Sequence, residues 1–95
     1  MEYRFKTTFW SDFSIADRFG IDAINDTYKR VFKEWRTDYI YLTELAMVMN
    51  WKCWYYFEKD NKKCELYSEL YYHTRDYALD HLKGSELKYY LETTD

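Results

Sequence analysis

The sequence predicts a mainly α-helical domain: a small bundle built on a long antiparallel helix hairpin, with one short N-terminal β-strand or extended arm. Three observations carry that reading. The chain has no proline and only 2 glycines in 95 residues, so few positions can break a helix or supply the positive φ that tight β-turns need. Apolar residues recur at helical spacing through most of the chain. The polar run Glu58–Lys63 separates the two longest such segments and gives the turn of a helical hairpin. Two domains would each be too small to bury a useful core, so residues 1–95 are read as one.

The elements follow in order. From Glu2 to Phe9, Tyr3, Phe5, Thr7 and Phe9 alternate with Arg4, Lys6 and Thr8, the period-two pattern of a half-buried strand. No later segment alternates in this way. The strand is therefore a candidate for pairing with a second copy of the chain or with a target protein; the competing reading is an extended arm packed on its own helices. Ser14-Ile15-Ala16-Asp17 has the spacing of a capping box and opens a short helix ending at Gly20. A second helix runs from Asp22 to about Arg36, with Ile24, Tyr28, Val31, Phe32 and Trp35 as its apolar stripe. Asp22 and Asp26 near its start and Lys29, Lys33 and Arg36 near its end suit the helix dipole.

A third helix is expected from Asp38 to about Lys59. Its main stripe is Leu42, Leu45, Ala46, Met49, Cys53 and Tyr56. A second stripe (Ile40, Met47, Trp51, Trp54) and a third (Tyr41, Val48, Tyr55) leave no polar face, so this is the central helix. A fourth helix begins after Asp60 or Asn61 and runs to about Lys83. It turns Cys64, Tyr67, Leu70, Tyr71, Thr74, Tyr77, Ala78, His81 and Leu82 toward the core. Gly84 ends it, and Ser85 caps a last short helix with Leu87, Tyr90 and Leu91 inside.

Composition narrows the function classes. Aromatic residues make up 23% of the chain, including 12 tyrosines and 4 tryptophans. Such rings fill a small core from few positions and also dominate protein-binding hot spots. A net charge of −3 and a pI near 5.4 argue against general nucleic-acid binding. No apolar stretch reaches membrane-spanning length, and none resembles a signal segment after Met1. Cys53 and Cys64 form neither a disulfide framework nor a zinc motif. A cytoplasmic protein with reduced thiols is the expectation, with no membrane contact.

The candidate chemistry is sparse. Phosphate-binding glycine loops, nucleophile elbows and His-Glu-x-x-His metal motifs are absent from the sequence. Glu65, Glu69, His73, Asp76 and Asp80 fall along one line of the fourth helix, and like-charge pairs at i,i+4 cost about 0.2–0.5 kcal/mol each if uncompensated. The stripe is read as a candidate interaction surface, facing either a basic partner or the chain's own Lys29, Lys33 and Arg36. A metal site at Glu69 and His73 is the lesser reading, and neither metal nor cofactor is expected. The basic patch Lys29, Arg30, Lys33 and Arg36 is read as a solvated helix face. Asn50 is expected as a hydrogen-bonded core amide.

Three runs carry a family likeness: FWSDFSIADRFGIDAINDTYKRVFKEW, YLTELAMVMNWKCW and LKGSELKYYLETTD. They resemble small proteins of bacteriophages and other mobile elements from Firmicutes and gut bacteria, a family without a known activity. The resemblance implies a mobile-element context and carries over no functional residues. The leading expectation is thus a non-enzymatic protein-interaction module acting on a host or defence protein. The alternative is a small-ligand binder or enzyme with an aromatic-lined pocket, the helix-four carboxylates and His73.

Overall fold

The computed structural model describes residues 5–94, and among them it contains five helices and no strand. They are α1 (Phe9–Phe19), α2 (Ile21–Trp35), α3 (Tyr39–Tyr56), α4 (Asn61–His81) and α5 (Ser85–Thr94). The expected helical bundle on an antiparallel α3–α4 hairpin is the architecture observed. Asp38 caps α3 by accepting from the Ile40 and Tyr41 amides, and Asp60 caps α4 by accepting from Lys63. Such caps satisfy amides that a helix start leaves unpaired. Gly20, at φ 106° and ψ −168°, joins α1 to α2 in a backbone region open essentially to glycine alone.

Helix α3 is the centre. Every residue from Leu42 to Met49 is buried, and α3 contacts all four other helices. Two clusters surround it. Leu45, Val48 and Met49 pack with Phe9, Phe13, Ile24, Tyr28, Val31 and Tyr67. Leu42 and Ala46 pack with Ala78, Leu82 and Tyr90, so α5 closes the N-terminal half of the hairpin. Buried Thr43, Thr74 and Thr94 each donate to the carbonyl four residues back, at 2.7–2.8 Å.

A polar cluster pins α1 to the hairpin. Asp17 and Lys52 are both buried and lie 2.9 Å apart. Lys52 also donates to Ser14 Oγ at 2.8 Å, and its Nζ sits 4.3 Å from the centre of the Trp10 ring. The Tyr67 hydroxyl of α4 donates to the other Asp17 carboxylate oxygen, and Lys63 Nζ donates to the Asp17 carbonyl at 2.8 Å. Burial, followed by the neighbouring Asp17 carboxylate, pushes the Tyr67 phenol far up, so it remains a donor.

Three sequence-based expectations are corrected. The strand is absent from its described part: Phe5 and the bends of residues 6–8 lead into α1 at Phe9, while Tyr3 lies outside the described residues. Phe9 belongs to the helical row Phe9, Phe13, Ala16, and the Lys6 amide donates to Glu44 of α3. The period-two signal has a different origin, since Phe5, Thr7 and Phe9 are less exposed than Lys6 and Thr8 on a short arm lying over the helices. Second, α1 starts at Phe9, so Ser14 is inside the helix and donates to the Trp10 carbonyl at 2.7 Å. Third, His81 is exposed and stacks on Tyr77 with ring centres 3.9 Å apart, while Leu66 takes a core place on α4.

Two stability predictions follow from this packing. Leu45→Ala or Met49→Ala should each lose about 2–5 kcal/mol in urea melts, because each empties a fully buried site; losses below about half a kcal/mol at both would displace α3 from the centre. Tyr90 is fully buried, and its hydroxyl has no hydrogen-bond partner among the described residues. Tyr90→Phe should therefore raise stability by about 1 kcal/mol by removing an unsatisfied polar atom. A melt showing a loss of that size would reveal a partner for the hydroxyl.

Candidate functional site

Helix α4 forms one wall of two large clefts, and of the residues singled out on it Glu65, Glu69 and His73 line them while Asp76 and Asp80 do not. The first lies against the end of α3. Cys53, Trp54 and Phe57 face Cys64, Glu65, Ser68 and Glu69 across an open cleft of about 460 Å³. Trp54 and Phe57 remain 65% and 53% exposed, their ring centres 5.6 Å apart. They stand where α3 has outrun its cover, since α5 packs against Tyr39, Leu42 and Ala46, in the first half of this helix. One wall of the cleft is therefore aromatic and the other acidic.

The two thiols lie at its base, with Sγ atoms 3.6 Å apart. That is hydrogen-bond contact between free thiols and well beyond the length of a disulfide. The sequence brings both onto the facing sides of the hairpin, as their eleven-residue separation allows. Burial first, then the hydrogen bond and charge of Cys64, push the Cys53 thiol up to about 11.

The second cleft, about 430 Å³, lies between α2 and α4. Tyr28, Phe32, Leu70 and His73 form its apolar and aromatic surface, while Lys29, Lys33, Arg36 and Asn25 line it from α2. The His73 ring packs edge-on against Phe32, with centres 4.9 Å apart. Its Nδ1 lies 2.9 Å from the Tyr28 hydroxyl, which lies 2.6 Å from Thr74 Oγ1. Thr74 has one proton and gives it to the Leu70 carbonyl at 2.8 Å. The Tyr28 hydroxyl must then donate to Thr74 and accept from His73, which places the His73 proton on Nδ1 and leaves Nε2 outside this chain of bonds. Burial pushes the Tyr28 phenol well above its ordinary range, so it keeps the proton the chain requires.

The acidic stripe is therefore not one continuous site. Glu65 and Glu69 line the thiol cleft and also a recess with Ile21, Asn25 and Lys62, His73 lines the basic cleft, and Asp76 and Asp80 are exposed. Among the described residues no stripe carboxylate forms an ion pair with Lys29, Lys33 or Arg36, and no three acidic, histidine or cysteine side chains group as metal ligands. Asn50 is half-buried on α3. Sequence reasoning grouped Trp54 with the core stripes and did not single out Phe57; the usable signal was two large rings three residues apart just before a turn, where no further helix arrives to cover them. Among the described residues no helix is long and apolar enough to cross a membrane. Comparison with known proteins finds no matching family model, curated protein or solved structure.

The raised thiol sets a pH dependence. The native state holds the Cys53 proton more tightly than the unfolded chain, whose thiol titrates near its ordinary value of 9.0. Its contribution to stability is complete below that value and is lost as pH rises toward about 11. Because thiolate is the reactive form, alkylation of native Cys53 by iodoacetamide, followed by peptide mass mapping, should accelerate through pH 9 to 11. The urea-unfolded chain should reach its plateau first. Equal profiles for the two states would contradict the burial assigned to Cys53.

Proposed function

We propose that this chain is a non-enzymatic protein-interaction module whose α3–α4 cleft takes an apolar, positively charged segment of a partner. The observation that carries this reading is the pairing of a strongly exposed Trp54–Phe57 wall with the Glu65–Glu69 wall. Exposed aromatic anchors beside a desolvating recess are the usual source of binding free energy at protein interfaces. The carboxylates select the charge of the segment and steer its approach. An amphipathic helix with apolar residues at i, i+3 and i+4 and lysine or arginine beside them has the matching chemistry. The likeness to phage and mobile-element proteins supports a host or defence protein as the source of that segment.

A synthetic leucine- and lysine-containing amphipathic helix should bind the full chain with one-to-one stoichiometry in isothermal titration, and more weakly as salt increases. Trp54→Ala with Phe57→Ala, and separately Glu65→Lys with Glu69→Lys, should each weaken binding by roughly tenfold or more while leaving the thermal melt nearly unchanged. Unaltered affinity in both pairs would remove the cleft from the reading. Affinity purification from the native host, comparing wild type with the Trp54 and Phe57 variant, would then identify the partner as the protein that only wild type retains.

A further inference from the structure

The α2–α4 cleft has a chemistry that partner binding at α3 does not use. Its lining contains three cations and no carboxylate, in a chain whose net charge is −3. Lys29, Lys33 and Arg36 sit at i, i+4 and i+7 on α2, so they rise along one edge of the cleft. Like charges at that spacing repel, and no described carboxylate pairs with them. Between them and α4 lies an aromatic floor formed by Phe32 and the edge-packed His73 ring. The cleft is thus a concave apolar recess with convergent polar groups on one side, and its volume falls within the range of small-ligand sites.

We propose that this cleft binds a small phosphate monoester carried on a flat ring, such as an aryl phosphate or a nucleoside monophosphate. The phosphate takes the cation edge, where Arg36 supplies a planar fork of donors and the lysines supply point charges. A monoester dianion offsets more of the repulsion among the three cations than a single carboxylate does. The flat ring lies on the Phe32 and Leu70 surface. His73 contributes through its fixed orientation: the Nδ1–H bond to Tyr28 holds the imidazole edge-on to Phe32 as part of the aromatic surface. The proposal is independent of the α3–α4 reading, since neither Trp54, Phe57 nor the thiols take part.

The test is a titration of isotope-labelled full-length chain followed by amide NMR, using phenyl phosphate, adenosine monophosphate, inorganic phosphate and phenol as separate probes. At least one of the two monoesters should give saturable shifts centred on Asn25, Lys33, Arg36 and His73. Which of them binds more tightly distinguishes an aryl phosphate from a nucleotide source. Inorganic phosphate and phenol should each bind roughly tenfold more weakly than that monoester, because each engages only half of the cleft. Lys33→Glu with Arg36→Glu should abolish saturation while the thermal melt and the amide spectrum of α3 stay as in wild type. Phe32→Leu keeps the cation edge and should lose affinity only for the ring-bearing probes. The proposal is overturned if neither monoester saturates at millimolar concentration, if inorganic phosphate binds as well as both, or if the charge-reversed variant binds as wild type does.

Discussion

The structure depends on one constraint: the Leu42–Met49 stretch of α3 presents apolar residues on every side and must be covered on every side. A helix with a single apolar stripe needs one neighbouring layer, but Leu42–Met49 is buried without a break, which requires neighbours all round. The hairpin supplies α4, and the two preceding helices cover the side carrying Leu45, Val48 and Met49. Helix α5 is then necessary, because Leu42 and Ala46 would otherwise face water; Leu82 and Tyr90 close that side. Ninety-five residues arranged around one buried rod leave little chain for anything else, and the connections are correspondingly short.

Covering this helix also traps charge. Glu44 and Lys52 lie on α3 and are taken inside with it. Glu44 accepts the Lys6 amide from the N-terminal arm, and Lys52 meets Asp17 from α1. A buried ion pair contributes little net stability over an apolar substitute, because desolvation offsets the attraction, but losing one partner is costly. Its effect here is positional. Asp17 receives Lys52 from α3 and Tyr67 and Lys63 from α4, so one side chain with its own carbonyl sets how α1 lies across the hairpin.

Much of this was legible from periodicity. The α2 stripe, the apolar character of α3, its start at Asp38 and the Asp60 cap all follow from local rules. Helix α4, however, stops earlier than expected, at His81, and Gly84 instead directly precedes α5. What failed were cases in which tertiary contacts reassign a local signal. Ser14 and Asp17 have capping-box spacing, but Phe9 and Phe13 extend α1 upstream because they have a core to enter. Phe5 and Thr7 alternate like a strand because an arm pressed on helices also buries every second side chain. The helix-four stripe was correctly placed on one line, yet a line along a helix does not reveal which neighbour each residue meets. Glu69 and His73 are four residues apart, but Glu69 lines the thiol cleft and a recess with Ile21 and Asn25, whereas His73 lines the basic cleft.

The aromatic excess connects core and surface. Large rings let a short chain fill its interior, but they also extend beyond it, and the same residues that close the core become the linings of the clefts. Tyr28 is buried against Val31 and Ile24, and its hydroxyl orients His73 at the cleft edge. Charge then distinguishes the two recesses. They lie on neighbouring flanks of one helix, a separation of about 10 Å given a helix's diameter, and physiological salt screens over about 8 Å. Each recess therefore presents its own sign to an approaching molecule, acidic beside Trp54 and basic beside Phe32. The two fields overlap at Glu69, which stands one helical turn before His73 and within about 6 Å of it by helix geometry, inside the screening length, and the overlap widens as ionic strength falls. That exposed carboxylate stands where the acidic and basic recesses meet, and it contributes nothing to the core.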